Sequence, residues 1–92
     1  MKSLYELLKI VRKHSNSKYI HYGWDIILWK CTEISVDKDI FIKEVVDGKI
    51  WIVYTTDRGY ITSVDVYKDI SAACYSFIEK LGIMDKIKDT ER

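Results

Sequence analysis

The chain has 92 residues, of which 48% are hydrophobic and 32% are charged, and it contains no proline. This size and composition predict one globular domain over residues 1–92 and exclude a disordered or fibrous chain. The net charge of +1 and the absence of an apolar run near ~20 residues argue against a nucleic-acid-binding or membrane protein.

The start of the chain and its cysteines predict the compartment. Residues 2–6 are followed by no apolar core of a signal peptide. Cys31 and Cys74 lie far apart, in no metal-ligand or redox spacing, so we expect two free thiols. Together these features predict a cytoplasmic protein.

The first predicted element is a helix over residues 4–14. Its apolar stripe at helical spacing consists of Leu4, Leu7, Leu8 and Val11. Ser3, followed three residues later by Glu6, predicts a capping box at the helix start.

Residues 19–35 are harder to assign. Within them Trp24, Ile26 and Leu28 alternate with Asp25, Ile27 and Trp29. Because β-branched and aromatic residues favour strands, the segment is predicted as one strand, with a short helix as the alternative.

Three consecutive antiparallel strands are predicted over residues 39–46, 49–56 and 60–67. Asp47-Gly48 joins the first two, and this dipeptide is a strong hairpin signal because both turn positions adopt positive φ. Asp57-Arg58-Gly59 joins the next two. In the middle strand, Ile52 and Tyr54 share one face while Trp51 and Val53 share the other, as expected for a central strand.

A second helix is predicted over residues 70–81, with Asp69 as its N-cap and Gly82 just past its end. Residues 83–92 are predicted to be a frayed charged tail, with a short helix over residues 85–92 as the alternative. The predicted fold class is α+β, a two-layer domain in which an N-terminal and a C-terminal helix pack on an antiparallel sheet of three to four strands, in the order α-β-β-β-β-α.

No motif in the chain predicts catalysis, a metal site or a cofactor. His14 lies at a helix end and His21 in a tyrosine-rich loop, and neither has a carboxylate or thiol at ligand spacing. Cys74 lies on the apolar stripe of the second helix, which predicts burial rather than nucleophilic chemistry. There is no Walker loop and no glycine-rich dinucleotide turn. We therefore expect a protein that is not an enzyme.

Nucleic-acid binding remains an alternative. A helix, three strands and a helix is also the element order of double-stranded-RNA-binding domains, where a lysine cluster opens the second helix. Here the corresponding segment has one lysine, Lys68, followed by Asp69. Base stacking on Trp51, Tyr54 and Tyr60 is a second route, but no positive groove flanks these residues in the sequence.

The aromatic content favours protein binding. Three tryptophans and seven tyrosines exceed the needs of a small core, and residues 24–70 carry nine acids against six bases. Aromatic side chains near acids are typical of protein-binding surfaces. We expect Trp51 in the core, whereas Trp24 and Tyr60 suit either the core or the surface. A generic interaction domain is thus also an alternative.

The second half of the chain carries a recognisable pattern. The strand Trp51-Ile-Val-Tyr54 runs into the turn Asp57-Arg58-Gly59, a further strand follows, and the last helix contains Ala73-Cys74. Residues 48–82 resemble a pattern in small bacterial immunity proteins of polymorphic toxin and contact-dependent growth inhibition systems. The chain departs from it at Asp57, where the pattern commonly has Glu, and at Tyr67, where it often has Phe.

The resemblance implies that the chain binds and neutralises the C-terminal domain of a cognate toxin in the cytosol. Many such toxins are nucleases with a basic cleft, which an acidic aromatic face would cover. The candidate toxin-binding residues are Trp24, Asp37, Asp39, Glu44, Asp47, Asp57 and Tyr60. The residues expected to maintain the fold are Trp51, Tyr54, Arg58, Gly59, Ala73 and Cys74, with Arg58 pairing with a nearby acid. Because exposed strand edges can pair with a second copy, we expect either a monomer or a weak dimer.

Overall fold

The computed structural model describes residues 2–17, 19–46 and 48–85. Its elements, in chain order, are α1 (Leu4–His14), β1 (Ile20–Asp25), β2 (Lys30–Val36), β3 (Ile40–Val46), β4 (Ile50–Asp57), β5 (Tyr60–Tyr67) and α2 (Ile70–Leu81). The strands form one antiparallel sheet in the order β1-β2-β3-β4-β5. The α+β class with a helix at each end is confirmed. The expected strand count of three to four was too low, because the sheet has five strands.

The extra strand comes from residues 19–35. The chain forms a hairpin there, in which Asp25 of β1 pairs with Lys30 of β2 and residues 26–29 make the turn. The Asp25 carboxylate accepts hydrogen bonds from the backbone N–H groups of Ile27 (2.9 Å) and Leu28 (3.0 Å). Trp29 completes the reversal with a φ of +55°. The prediction of one strand was therefore wrong, since the alternating pattern spans a reversal of the chain.

Both helices begin and end where the sequence predicts. At α1, Ser3 Oγ accepts from the Glu6 N–H (3.2 Å), and Glu6 Oε2 accepts from the Lys2 N–H (3.1 Å). At α2, the Asp69 carboxylate accepts from the Ala72 N–H (3.1 Å). Gly82 ends α2 with a φ of +72°, a left-handed conformation that costs glycine little.

Both helices cover the same face of the sheet. Their buried side chains are Leu4, Leu7, Leu8, Val11, Ala73, Cys74, Phe77 and Ile78, and they share one cluster with Cys31, Ile34, Val36, Ile42, Trp51 and Val53 of the strands. The expectation that Trp51 belongs to the core is confirmed. Cys31 and Cys74 are buried, free thiols, as predicted.

The core extends past the end of α2. Ile83 is buried and Met84 packs against the core. Ile83 and Met84 are therefore packed rather than frayed, and Met84 and exposed Asp85 adopt a helical conformation, in line with the alternative of a short helix. The rest of that prediction, residues 86–92, lies outside the described residues.

The second face of the sheet, here called the open face, carries neither helix. Phe41 stacks on Tyr54 there, with ring centroids 4.6 Å apart and planes 3° from parallel. Ile52 and Tyr54 lie on this face and Trp51 and Val53 on the helix face, as predicted for the central strand.

Both predicted hairpins are present, since β3 pairs with β4 and β4 pairs with β5, although Asp47 of the first turn lies outside the described residues. Gly48 has a φ of +65°, and the β4–β5 turn places Arg58 (φ +53°) and Gly59 (φ +84°) between the paired residues Asp57 and Tyr60. Positive φ at both central residues defines a type I′ turn, which matches the twist of the strands. Among the described residues Arg58 makes no ion pair, so the expected pairing with an acid is not seen.

Candidate functional site

The predicted contact residues lie at two opposite ends of the sheet. Asp37 and Asp39 lie in the β2–β3 turn, and Asp57 and Tyr60 flank the β4–β5 turn. Trp24 and Glu44 lie near the other end, towards the β1–β2 and β3–β4 turns. A strand rises about 3.3 Å per residue, so the two groups are separated by about 20 Å. They do not form one patch. Asp47 lies outside the described residues.

One group, Asp37, Asp39 and Asp57, is here called the acidic end. Its two turns are tied together, because the Thr56 N–H donates to the Asp39 carbonyl (2.7 Å) and Thr56 Oγ1 donates to the Lys38 carbonyl (2.9 Å). All three carboxylates are on exposed residues, but Lys38 and Arg58 lie in the same turns. The local charge is therefore close to balance, and this end is a weak mimic of a polyanion.

At the other end, Glu44 is engaged within the protein. Its carboxylate contacts Lys30 Nζ at 2.7 Å, and its side chain is almost fully buried. Glu44 therefore holds the end of the hairpin in place rather than offering a free charge to a partner.

The most exposed apolar side chains of this end belong to the β1–β2 turn. Residues 26–29, Ile-Ile-Leu-Trp, are here called the apolar tip. Ile27 is 89% exposed and Trp29 is 73% exposed. Single exposed apolar residues are normal, whereas a contiguous run of four makes this tip a candidate interaction site. The two Asp25 hydrogen bonds fix the backbone of this run, so a partner would meet a preorganised surface.

The apolar tip is not among the contact residues that the sequence predicts. The alternating pattern predicts a strand there, and apolar side chains in a strand need no further explanation. Asp25 is the residue that could have indicated this turn. An Asp side chain readily accepts a hydrogen bond from the backbone N–H two residues further on, which starts a turn.

Aromatic rings continue from the tip toward the helices. Trp24 meets Trp29 edge to face at 5.7 Å and an angle of 88°, and meets Tyr5 of α1 at 6.1 Å and 82°. These rings and Trp51 line a cavity of about 480 Å³, here called the aromatic cavity, whose wall also includes Lys30 and Glu44. Cavities of this volume with mostly apolar walls are typical ligand sites.

The open face has a smaller groove of about 130 Å³, which His21, Glu33, Ser35 and Tyr54 help to line. A catalytic arrangement needs a base within hydrogen-bond reach of its nucleophile. Among the described residues no hydrogen bond joins His21, Glu33 and Ser35. No cluster of three or more His, Cys, Asp or Glu residues in the described part of the chain is placed to hold a metal ion.

The buried thiols are also poor nucleophiles. Burial raises the pKa of Cys74 to about 12, and burial likewise raises the pKa of Cys31. Because the thiolate is the reactive form, neither cysteine is activated at neutral pH.

Base stacking on Trp51, Tyr54 and Tyr60 would require the three rings to share a platform. Trp51 is buried on the helix face, Tyr54 lies on the open face, and Tyr60 lies at the acidic end. The three rings therefore form no common surface for a nucleic acid.

Comparison with protein-family models, with curated proteins and with solved structures finds no significant match for this chain. Within the described ranges, neither helix has the length and apolar content needed to cross a bilayer.

Proposed function

We propose that this chain is an immunity-type inhibitor that binds a bacterial toxin domain through the apolar tip and neutralises it by covering its active site or substrate surface. The observation that carries the proposal is the exposed, preorganised run at residues 26–29 beside Trp24. Tryptophan is enriched among the residues that dominate binding energy, and rigid anchors lose little entropy when a partner binds.

The identity of the partner as a toxin comes from the resemblance over residues 48–82. Trp51, Ala73 and Cys74 of that pattern are buried, while Arg58 and Gly59 form a hairpin turn. These positions suit a shared framework, and the apolar tip lies outside them. This arrangement supports the proposal because partner choice can then vary at the tip without changing the framework.

The geometry favours an apolar anchor over charge mimicry. The acidic end lies about 20 Å from the tip along the strands, and its carboxylates share their turns with Lys38 and Arg58. In this proposal the acidic residues contribute mainly to the rate of encounter, because exposed charges steer association more than they hold a complex together.

The test is rescue of growth. The C-terminal domain of the protein encoded by the neighbouring upstream reading frame, as the candidate toxin, is expressed in a bacterial host with the wild-type chain, with Ile27→Asp or with Ile61→Asp. Ile61 is 63% exposed on the edge strand β5, away from the tip, and provides a matched control. The wild-type chain and Ile61→Asp should restore growth and co-purify with the toxin.

Ile27→Asp should lose rescue and bind on the order of a hundredfold more weakly, as expected for an interface anchor. Its thermal unfolding should match that of Ile61→Asp, because both side chains are exposed. Full rescue by Ile27→Asp would overturn the role of the tip. Failure of the wild-type chain to bind or rescue would overturn the immunity function itself.

A further inference from the structure

The exposed side of α1 is strongly basic. It carries Lys2, Lys9, Arg12 and Lys13 against one acid, Glu6, whose carboxylate accepts the Lys2 N–H. Lys9, Arg12 and Lys13 are exposed, and none of them forms an ion pair with another described residue. This side of the helix therefore presents positive charge that the described part of the domain does not neutralise.

Aromatic rings hold two of these cations in place. Lys9 Nζ lies over the ring of Tyr5, 4.7 Å from its centroid, and Arg12 Cζ lies over the ring of Tyr22 of β1 at 5.1 Å. A cation–π contact fixes a cation on a ring face and leaves most of its N–H donors available to an anion. The surface formed by Tyr5, Lys9, Arg12, Lys13 and Tyr22 is here called the cationic strip.

The cationic strip continues into the apolar tip. Tyr5 meets Trp24 edge to face, and Trp24 meets Trp29 of the tip in the same way. A partner that contacts the tip therefore also lies beside the strip. Because interfaces pair positive with negative potential, the partner surface that fits this side of the protein has acidic groups next to its apolar contact.

The geometry favours protein carboxylates over a nucleic acid. Successive bases stack on ring faces, whereas the planes of Tyr5 and Trp24 are 82° apart and those of Trp24 and Trp29 are 88° apart. These rings offer no common stacking direction. The strip has three cations, while a protein bound tightly to DNA contacts about 6–10 phosphates. The apolar tip beside the strip also has no counterpart in a phosphate backbone.

We infer that the cationic strip binds the carboxylates of an acidic segment in the same partner that the apolar tip contacts. The planar guanidinium of Arg12 pairs with one carboxylate, and Lys9 and Lys13 contact its neighbours. The inference rests on the proposed function, because it describes the toxin surface that the tip contacts. It places acidic groups, and not a basic cleft, opposite this side of the protein.

The experiment titrates ¹⁵N-labelled protein with the peptide acetyl-Glu-Glu-Leu-Glu-Glu-amide and follows the Arg12 Nε–H and the backbone N–H signals of α1 by NMR. At about 20 mM salt, where exposed charges are weakly screened, these signals should shift and saturate with a dissociation constant of roughly 1 mM. At about 300 mM salt the binding should weaken several-fold. The matched peptide with glutamine in place of every glutamate should not bind.

Two variants locate the site. Arg12→Gln should weaken binding of the acidic peptide about fivefold, as expected for the loss of one exposed ion pair. Lys38→Gln removes an exposed cation from the β2–β3 turn at the acidic end, and it should bind the peptide like the wild-type chain. Both side chains are exposed, so both variants should fold.

Three peptide results contradict the inference: no saturable shift with the acidic peptide, equal binding of the glutamine peptide, or equal binding by Arg12→Gln. An eight-nucleotide polyuridine RNA provides a fourth comparison. Tighter binding of this RNA than of the acidic peptide would assign the strip to nucleic acid and overturn the inference.

The candidate toxin domain separates this inference from the proposed function. If the wild-type chain and Arg12→Gln bind that domain equally well, the inference about the strip fails and the immunity function stands. If the acidic peptide binds as expected but the toxin domain does not bind, the strip is a carboxylate site and the immunity function fails.

Discussion

The buried thiol of Cys74 should make the protein lose stability in alkaline solution. Burial raises its pKa to about 12 from an ordinary value of 9.0. Above pH 9 the unfolded chain releases this proton while the folded chain keeps it, so raising the pH favours unfolding. The contribution of Cys74 is fully present below pH 9 and is lost progressively up to pH 12. Between pH 8 and pH 10 the loss is about 1.4 kcal/mol.

The assay is urea unfolding at pH 8 and pH 10 under reducing conditions, for the wild-type chain and for Cys74→Ala. The variant should be less stable by roughly 1–2 kcal/mol at pH 8, because it leaves a small cavity beside Phe77 and Ile78. Its further loss on going to pH 10 should be about 1.4 kcal/mol smaller than that of the wild-type chain. Cys74→Ser, which nearly keeps the side-chain size and does not ionise, serves if the alanine variant is too unstable.

An identical pH dependence in the wild-type chain and in both variants would refute this reasoning. It would mean that the Cys74 thiol ionises in the folded protein as readily as in the unfolded chain, and so is not desolvated. The pKa of Cys31 is also raised by burial. Cys31→Ala should therefore also reduce the loss of unfolding free energy between pH 8 and pH 10. Comparing the two single variants gives the contribution of each thiol.

Two further predictions concern the turns and the helix caps. Arg58→Asn should raise the free energy of unfolding by about 0.5–1 kcal/mol, because Asn tolerates the observed positive φ better than Arg and Asn-Gly favours a type I′ turn. Thermal denaturation measures this, and Lys49→Asn, at a turn residue without positive φ, should show no gain; equal effects at both positions would contradict the explanation. Asp69→Ala should lower the free energy of unfolding by about 1 kcal/mol, because the Ala72 N–H loses its acceptor at the start of α2. Urea unfolding checks this result, and Asp69→Ser should keep most of the stability; a serine variant as unstable as the alanine variant would show that capping is not the cause.

The prediction of residues 19–35 shows where pattern reasoning failed. Alternation from Trp24 to Trp29 is the usual signature of a strand. A turn is normally recognised by Gly, Pro, Asn or Asp, and here only Asp25 provides that signal. The turn residues are apolar, and no burial in the described structure explains this. In our proposal they are apolar because they contact a partner, which is a reason that lies outside the chain.

The contact residues show a second limit. Asp37, Asp39 and Asp57 do come together, because alternate turns of an antiparallel meander lie at the same end of the sheet. Trp24 and Glu44 lie at the other end for the same reason. Composition alone predicts a single acidic, aromatic region for all the candidate contact residues. A count of charges carries no information about which turns lie next to each other in the fold.

Local sequence by itself determined both helices, their caps, the β3–β4–β5 meander and the faces of the central strand. These features depend on contacts within about four residues or between adjacent strands, so periodicity and turn chemistry are sufficient to predict them. Only the tertiary structure decided the number of strands, the burial of Ile83, the split of the candidate residues between two ends, and the aromatic cavity. Those features arise where residues distant in sequence meet, and they depend on how the sheet pairs and on which of its faces the two helices cover.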